Sequence, residues 1–596
     1  MTEAPFRRIL VANRGEIAIR VMRSAKELGC ETVAVYSEAD RDALHVRYAD
    51  SAYLLGPAAP AQSYLHADRL LEVAARAGAD AIHPGYGFFA ENANFARRTI
   101  AAGMTWIGPH PDAIDAMGDK IRARAAMVAA GVPVVPGGSA AIADAEDAAA
   151  AARAYGLPLA LKASGGGGGK GLKIARSIDE LAAAFSTAQR EATAYFGNSA
   201  IYVERYLENP KHIELQIVAD KHGNVAHIGE RDCSLQRRHQ KVWEEAPPQL
   251  PDAVRAGLRA AGLQAVRAIA YDSVGTIEYL VSGDAFYFLE MNTRIQVEHT
   301  VSEEISGIDL VREQILVAAG RPLSFAQADV VLRGHAIEVR VNAEDPAQGF
   351  RPAPGTVSAY REPGGFGVRV DSAAYPGFTI TPDYDSLIAK LIVRGRTRDE
   401  ALARLGRAID EYVIDGVQTT LPMLRALIDY APVADASYGT ATLEPFAATL
   451  SGAAANGAAP TDAGVPPPAR DDETIRVEVD GRLFRVRFVD LPLSQPSLAL
   501  PAASKPVTKG RAARTSGAVA AGDDVLAPMH GVVVEIPVAV GASVSAGDVV
   551  AVIEAMKMMN EIHAHKEGTI ERVLVTTGDT IEARSPLLTI RTPPPG

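Results

Sequence analysis

The stretch Glu290-Met291-Asn292-Thr293-Arg294-Ile295-Gln296-Val297-Glu298-His299 follows directly on an aromatic segment, Ala285-Phe286-Tyr287-Phe288-Leu289. A strand needs neither its two carboxylates nor its amides and arginine for stability, and burying charges without partners is costly. Just upstream, Thr276-Ile277-Glu278-Tyr279-Leu280-Val281 reads as another strand, with Ser282-Gly283-Asp284 as the turn. Glu278 and Glu290 each lie six residues from Asp284, so a regular hairpin makes them cross-strand neighbours. Like charges placed opposite each other destabilise a sheet. A bound cation turns that repulsion into a ligand pair, and oxygen-only ligands suit Mg²⁺ or Mn²⁺ shared with a nucleotide's phosphates. The bland alternative is a solvated strand edge with two unrelated acids. Asn292 as a third oxygen ligand and Arg294 as a counter-charge favour the metal reading.

Working outward, the 596 residues leave room for about four domains. With 48% hydrophobic and 22% charged residues the composition is that of an ordinary globular protein. A net charge of −12 argues against a nucleic-acid partner, since backbone affinity needs clustered positive charge. No apolar run approaches the ~18 residues of a membrane span, and the start has no signal-peptide core, so a cytoplasmic protein without a membrane segment is expected. Cys30 and Cys233 give neither a disulfide framework nor zinc spacing.

Arg8-Ile9-Leu10-Val11-Ala12-Asn13 is a short buried strand, followed by a helix that runs to Gly29, a C′ cap. Strand and helix then alternate, so residues 1–118 read as a doubly wound α/β unit. Pro84-Gly85-Tyr86-Gly87 is a turn at the carboxyl end of a strand, where such sheets bind ligands. Asp119 caps a helix carrying Lys120, and residues 140–156 form an alanine-rich helix. Five glycines, Gly165, Gly166, Gly167, Gly168 and Gly169, separate Lys162 from Lys170. Such a run costs backbone entropy, and exposed N–H groups beside lysines can wrap a polyphosphate. The Walker A pattern is not met, because Gly171 follows Lys170. A hairpin lid over a nucleotide fits better than a linker. Ile201 to Leu207 is a strand leading into a loop whose backbone can meet a base edge. Glu230 to Lys241 is a dense polar run, with a solvated face as one reading and phosphate handling as the other. Cys233 within it is expected to be a buried small side chain.

Composition shifts after residue 450. Ser451–Arg470 is an Ala/Gly/Pro-rich linker. Residues 474–488 alternate as a hairpin about Asp480-Gly481, too small to stand alone and so expected to dock on something. A second linker follows. In the final segment Gly531 and Gly541 recur as Gly568 and Gly578, an offset of 37. Two similar halves imply a pseudo-symmetric β-sandwich, with Met556-Lys557-Met558 at a hairpin tip. An exposed lysine between methionines is a poor turn for solubility and a good handle for attaching a prosthetic group.

These motifs carry a resemblance. Met556-Lys557-Met558 resembles the attachment site of biotin carboxyl carrier domains. Residues 1–450 resemble biotin carboxylase of the ATP-grasp superfamily, on His83-Pro84-Gly85-Tyr86-Gly87, Lys162 with the glycine run, Glu230–Lys241 and Glu290–His299. Together they resemble the α chain of an acyl-CoA carboxylase. The implied fold is mixed α/β and α+β: a doubly wound N-terminal domain (1–118), an ATP-grasp domain with its lid (119–333), a C-terminal domain (334–450), linkers with the short hairpin (451–523) and an all-β biotinyl sandwich (524–592). The implied activity is that of a ligase forming a C–N bond, with ATP and bicarbonate as substrates, Mg²⁺ or Mn²⁺ as metal, and biotin attached to Lys557 by a biotin protein ligase.

By the same resemblance, Lys120, Lys162, the glycine loop, His212 and His239 hold ATP. Glu204, Leu207 and Gln236 line the adenine site, where Arg205 replaces the lysine of many relatives. Glu278, Glu290 and Asn292 bind metal, and Lys241 and Arg294 hold bicarbonate and carboxyphosphate. Glu298 deprotonates bicarbonate, and Arg340 stabilises the enolate of the biotin ring as it takes up CO₂. Tyr86 and Asp385 lie near that ring. The chain has no room for a carboxyltransferase, so a separate β subunit is implied, with products of the malonyl-CoA or methylmalonyl-CoA type and a hetero-oligomer containing several copies of this chain. A flexible linker of about 33 residues spans roughly 30 Å root-mean-square, enough for a swinging carrier. Two other classes compete: an ATP-grasp ligase acting on a different acid or amine, and a carrier scaffold with a dead nucleotide site.

Overall fold

Short, mostly apolar runs build the first sheet of the computed structural model. That structure describes residues 4–138, 140–164, 172–196, 198–237, 240–455, 474–479, 482–487, 523–528, 531–555, 558–581 and 584–591. The chain divides into two units, Met1–Ala448 and Thr449–Gly596.

In the first unit β1 (Arg8–Val11), β2 (Glu31–Ser37), β3 (Ser51–Gly56), β4 (Ala81–His83) and β5 (Thr105–Trp106) lie in the order β3-β2-β1-β4-β5. All four pairings are parallel, and the order reverses between β1 and β4, where such sheets bind ligands. The two loops at that point are laced together: Asn13 Nδ2 donates to the carbonyls of Pro84 and Tyr86, each at 2.7 Å. Gly85 allows it, since at φ 64 a Cβ there would sit 2.9 Å from that same nitrogen. The first helix, α1 (Gly15–Glu27), ends as the sequence indicates, with Gly29 at φ 81.

A small antiparallel sheet follows, β7-β6-β8, from β6 (Leu159–Ala163), β7 (Leu172–Ala175) and β8 (Ile201–Arg205). Lys162 pairs with Leu172, so the glycine run joins two antiparallel strands; Gly165 to Gly169 themselves lie outside the described residues. The alanine-rich helix spans Ala145–Tyr155 and not 140–156. Asp144 stops it, with Oδ1 accepting from the N–H groups of Glu146 and Asp147 at 2.9 and 3.0 Å. Asp119 caps Lys120–Ala129 in the same way, accepting from the Arg122 N–H at 2.8 Å.

The large sheet is antiparallel. It runs β13-β12-β9-β10-β11-β14 and on through Leu387–Gly395 and Val368–Ser372, where β9 is Lys211–Ala219, β10 Val225–Arg237, β11 Gln240–Ala246, β12 Val274–Ser282, β13 Ala285–Asn292 and β14 His335–Asn342. One continuous sheet thus crosses residues 333/334. In β9, Ile213, Leu215 and Ile217 share a core with Leu258, Ala261 and Ala265 of the helix Asp252–Ala268. Strand alternation puts His212, Glu214 and Gln216 on the opposite face. A second core joins Ile9, Val11 and Val21 to Val218, Ile228 and Val274, so the first sheet is anchored to the large one.

In the second unit Thr474–Val479 and Arg482–Arg487 pair antiparallel, Val479 opposite Arg482; Asp480 and Gly481 lie between them, outside the described residues. The final segment forms two four-stranded sheets. One runs Asp524–Leu526, Pro586–Arg591, Gly568–Val573, Ser543–Val544, the other Met558–His563, Val549–Ala555, Gly531–Glu535, Thr580–Ile581. The offset of 37 residues maps one order onto the other. A Cβ on Gly531 would lie 2.5 Å from the Glu554 carbonyl oxygen, and one on Gly568 2.6 Å from that of Arg591, the same contact in each half. Ala555 pairs with Met558, so Met556 and Lys557 occupy the connection; both lie outside the described residues.

Candidate active site

Two β-bulges set the site. In the β12–β13 hairpin Ser282 pairs with Ala285, so the turn is Gly283-Asp284 alone and not the three residues expected. That tighter turn would set Glu278 against Leu289. An extra residue, Leu289, shifts the register between Tyr279–Phe288 and Glu278–Glu290 and brings the two acids opposite each other. Between β10 and β11, Leu235 pairs with Trp243 and Gln236 with Lys241, leaving Val242 extra and re-aiming Lys241.

The result is a row of charges across the large sheet: Glu290, Glu278, Glu214 and Arg231 are successive register partners on β13, β12, β9 and β10. Arg340, Lys390 and Asp371 form a second such row on β14 and the two strands beyond it. Lys241 lies among three carboxylates: it contacts Glu214 and donates to Glu278 at 3.1 Å and Glu298 at 2.8 Å. Arg340 donates to Glu244 at 2.7 Å and Glu298 at 2.9 Å. Glu298, at the N-terminus of the helix His299–Ser306, is thus held between two cations.

Burial by itself would raise Glu298, but Lys241 and Arg340 hold its carboxyl below the ordinary range, so it is ionised at neutral pH. Glu278, against burial, is held well below that range by Lys241 and His212. Burial works to lower Lys241, and the three acids around it raise it well above the usual lysine value. Glu244 goes the other way: burial pushes it up to about 7, against the pull of Arg340.

His212 Nε2 is 2.9 Å from Glu278 Oε2, and Gln236 Nε2 is 3.4 Å from His212 Nδ1. Asn292 Nδ2 donates to Glu278 at 2.8 Å. Lys120 Nζ is 3.2 Å from Glu290, and Lys162 pairs with Glu204. Leu207 is half-buried just beyond β8. Tyr86 donates its hydroxyl to Glu16. Asp385 is exposed, with Oδ1 accepting from the Leu387 N–H at 3.1 Å. Arg294 donates its Nε to Glu91 at 2.9 Å and its Nη2 to Asn292 Oδ1 at 2.8 Å. Burial works to lower it, and the charges of Glu91, Glu298 and Glu278 raise it, so its direct ion pair is with Glu91 while Glu278 acts on it at longer range. Cys233 is fully buried. The Glu230–Lys241 run is not a solvated face, since Glu230 to Gln236 are all buried. His239 lies outside the described residues.

Glu214, Arg231, Glu244 and Glu91 escaped the sequence reading. For Glu214 a signal existed: polar residues at every second position of an otherwise apolar strand. Arg231 is wholly buried and donates to Glu214, Gln216, Ser302, Thr276 and Gln296. As donor sets go, the facing carboxylates of Glu278 and Glu290 with the amide oxygen of Asn292 suit a hard cation.

Four family models match parts of the chain: "Biotin carboxylase, N-terminal domain" over 5–114, "Carbamoyl-phosphate synthase L chain, ATP binding domain" over 119–326, "Biotin carboxylase C-terminal domain" over 338–445 and "Biotin-requiring enzyme" over 523–590. The chain is 45% identical over 602 aligned residues to the biotin-dependent acyl-coenzyme A carboxylase alpha3 subunit of Mycobacterium leprae, covering 98% of both. It is 50% identical to biotin carboxylase 1 of Bacillus subtilis, over 74% of this chain and 99% of that one. Its fold matches the biotin carboxylase domain of Hydrogenobacter thermophilus 2-oxoglutarate carboxylase, solved with MgADP, ADP and bicarbonate, with a TM-score of 0.72 and 47% identity over 75% of this chain and 98% of the other. Matched over 98% of its length by an acyl-CoA carboxylase alpha subunit, and in its parts by the biotin carboxylase and biotin-requiring family models, the chain belongs to the biotin carboxylase family of ligases and carries a biotin carrier domain on the same polypeptide.

Proposed function

We propose that this chain is the α subunit of an acyl-CoA carboxylase, using ATP and bicarbonate to carboxylate biotin held on Lys557 and handing the carboxyl group to a separate carboxyltransferase subunit in the cytoplasm. The observation that carries the reading is Glu298, a buried carboxylate kept ionised between Lys241 and Arg340. A bicarbonate needs that set: cations to hold the anion and a base to take its proton. In this reading Glu298 removes the proton and the freed oxygen attacks the γ-phosphorus of ATP, giving carboxyphosphate and ADP. Lys241 and Arg294 offset the negative charge, and Arg340 faces the oxygen on which charge develops in the biotin ring. Glu278, Glu290 and Asn292 would hold Mg²⁺ or Mn²⁺, which would supply charge neutralisation at the ATP phosphates. Lys120, Lys162, Gly165–Gly169, His212 and His239 hold the nucleotide, with Glu204, Leu207 and Gln236 at its base. Lys557 would carry biotin, which when bound would supply the ureido nitrogen for the carboxyl group, and Tyr86 and Asp385 would flank that ring. The MgADP and bicarbonate of the Hydrogenobacter structure and the α-subunit name of the Mycobacterium leprae relative support the assignment.

Two measurements test it. Purified chain should hydrolyse ATP only with bicarbonate present, and Glu298→Gln should lower that rate by about 10²–10⁴-fold. Mass spectrometry should find a biotin adduct on Lys557 in cells with an active biotin ligase. Bicarbonate-independent hydrolysis, or an unmodified Lys557, refutes the proposal.

A further inference from the structure

Lys390 is among the largest fully buried side chains of the molecule, at 0% exposure. It lies in register between Arg340 and Asp371. Its Nζ donates to the main-chain carbonyl of Val297 at 3.0 Å and lies 3.4 Å from Glu16 and 3.7 Å from Asp371. Val297 is the residue before Glu298. Glu16, itself buried, accepts the Tyr86 hydroxyl. One ammonium therefore touches both the backbone that carries Glu298 and the acid that carries Tyr86. Asp371 is separately held by Arg369, whose Nε and Nη2 donate to it at 2.9 and 2.8 Å, so Lys390 is not needed to neutralise it.

Resting on the carboxylase reading, which places bicarbonate at Glu298 and the biotin ring at Tyr86, we propose that Lys390 is a positioning residue that fixes these two groups relative to each other. A buried ammonium is expensive, and an apolar side chain would leave Glu16, which burial raises, bonded to Tyr86 but without the charge of Lys390 that lowers it. Burial works to lower the ammonium, while Glu16, Glu338 and Asp371 raise it, so the charge is present at neutral pH. Glu16 is reached from α1, Val297 from the segment after β13, and Lys390 from the far part of the large sheet. The three meet only in the folded chain.

The test uses the full chain with ATP, bicarbonate and free biotin. Lys390→Met should lower both bicarbonate-dependent ATP hydrolysis and biotin carboxylation by about 10²-fold, the cost of a misplacement near 1 Å, with the KM for ATP unchanged within about twofold. Lys390→Arg, which keeps a donor for Val297, should recover about tenfold of the hydrolysis. Glu16→Gln should raise the KM for biotin more than it lowers ATP hydrolysis. Parental rates in Lys390→Met, or a lowered melting temperature with kcat intact, overturn the proposal. If Lys390→Met does not fold, a double-mutant cycle between Lys390→Arg and Glu16→Gln decides: coupled effects on biotin KM support it and additive effects overturn it. A parent chain without bicarbonate-dependent hydrolysis overturns the carboxylase reading and this one with it.

Discussion

At the residue scale the site is a problem of charge compensation. Glu214 is wholly buried, bonded to Arg231 through Oε2 and to Lys241 through Oε1. Replacing it with glutamine leaves two buried cations short of a partner. Breaking such a pair costs about 3–5 kcal/mol, so Glu214→Gln should lose stability of that order in thermal melts as well as activity; a melt like the parent's would contradict this. Buried histidines give a second prediction. Burial lowers His45 to about 4 and His83 to about 3, whereas the unfolded chain binds a proton at each near pH 6.5. Their contribution is therefore complete above pH 6.5 and is lost as pH falls toward those lower values, each accounting for about 2 kcal/mol by pH 5. Melting temperature should drop between about pH 7.5 and about pH 5, and less steeply in His45→Gln. Glu278, Glu290 and Glu298 were legible in the sequence as acids a strand does not need, while Arg340 reads as the polar alternation of an ordinary strand and was singled out only by the family resemblance. Glu91 was not, because its partners, the Thr293 N–H and the Arg294 side chain, lie some two hundred residues away in the chain.

At the element scale the decisive features are irregularities. The Leu289 and Val242 bulges aim Glu290 and Lys241, and periodicity of two cannot reveal where a strand gains a residue. Gly137 shows another kind of dependence. It bridges to Glu204 on β8, and a Cβ there would lie 2.5 Å from the Val203 carbonyl oxygen and 2.7 Å from the Glu204 Cα. Both are backbone-anchored and cannot swing away. Gly137→Ala should cost about 1–3 kcal/mol by overpacking and raise the KM for ATP by displacing Glu204 from Lys162, measured by kinetics alongside a melt. An alanine variant with unchanged KM would separate Glu204 from nucleotide binding. The caps at Asp119 and Gly29, by contrast, were readable as local signals that act within a turn, whereas the Asp144 cap, a signal of the same kind, was overrun by an alanine-rich stretch read as helix from residue 140.

At the scale of the whole molecule the chain joins a nucleotide-using unit to a sandwich built from two copies of one β pattern. No helix among the described residues is long and apolar enough to cross a membrane. If the hairpin of Thr474–Val479 and Arg482–Arg487 docks a carboxyltransferase subunit, deleting residues 474–488 should abolish co-purification with that subunit while leaving ATP-dependent carboxylation of free biotin intact. Survival of the complex would place the contact elsewhere. Lys557→Arg should likewise remove all avidin recognition and leave free-biotin carboxylation unchanged.

The order of modules, the sandwich repeat, the glycine run and the Met556-Lys557-Met558 motif were determined by the sequence alone, because each is written in neighbouring residues or in a fixed offset. Tertiary structure alone decided which acids face which cations. Lys241 meets Glu298, and Lys390 meets Val297 and Glu16, through strand order and bulges that bring distant segments together. Buried charges are tolerated only where such long-range partners converge, and that convergence has no signature in a linear string.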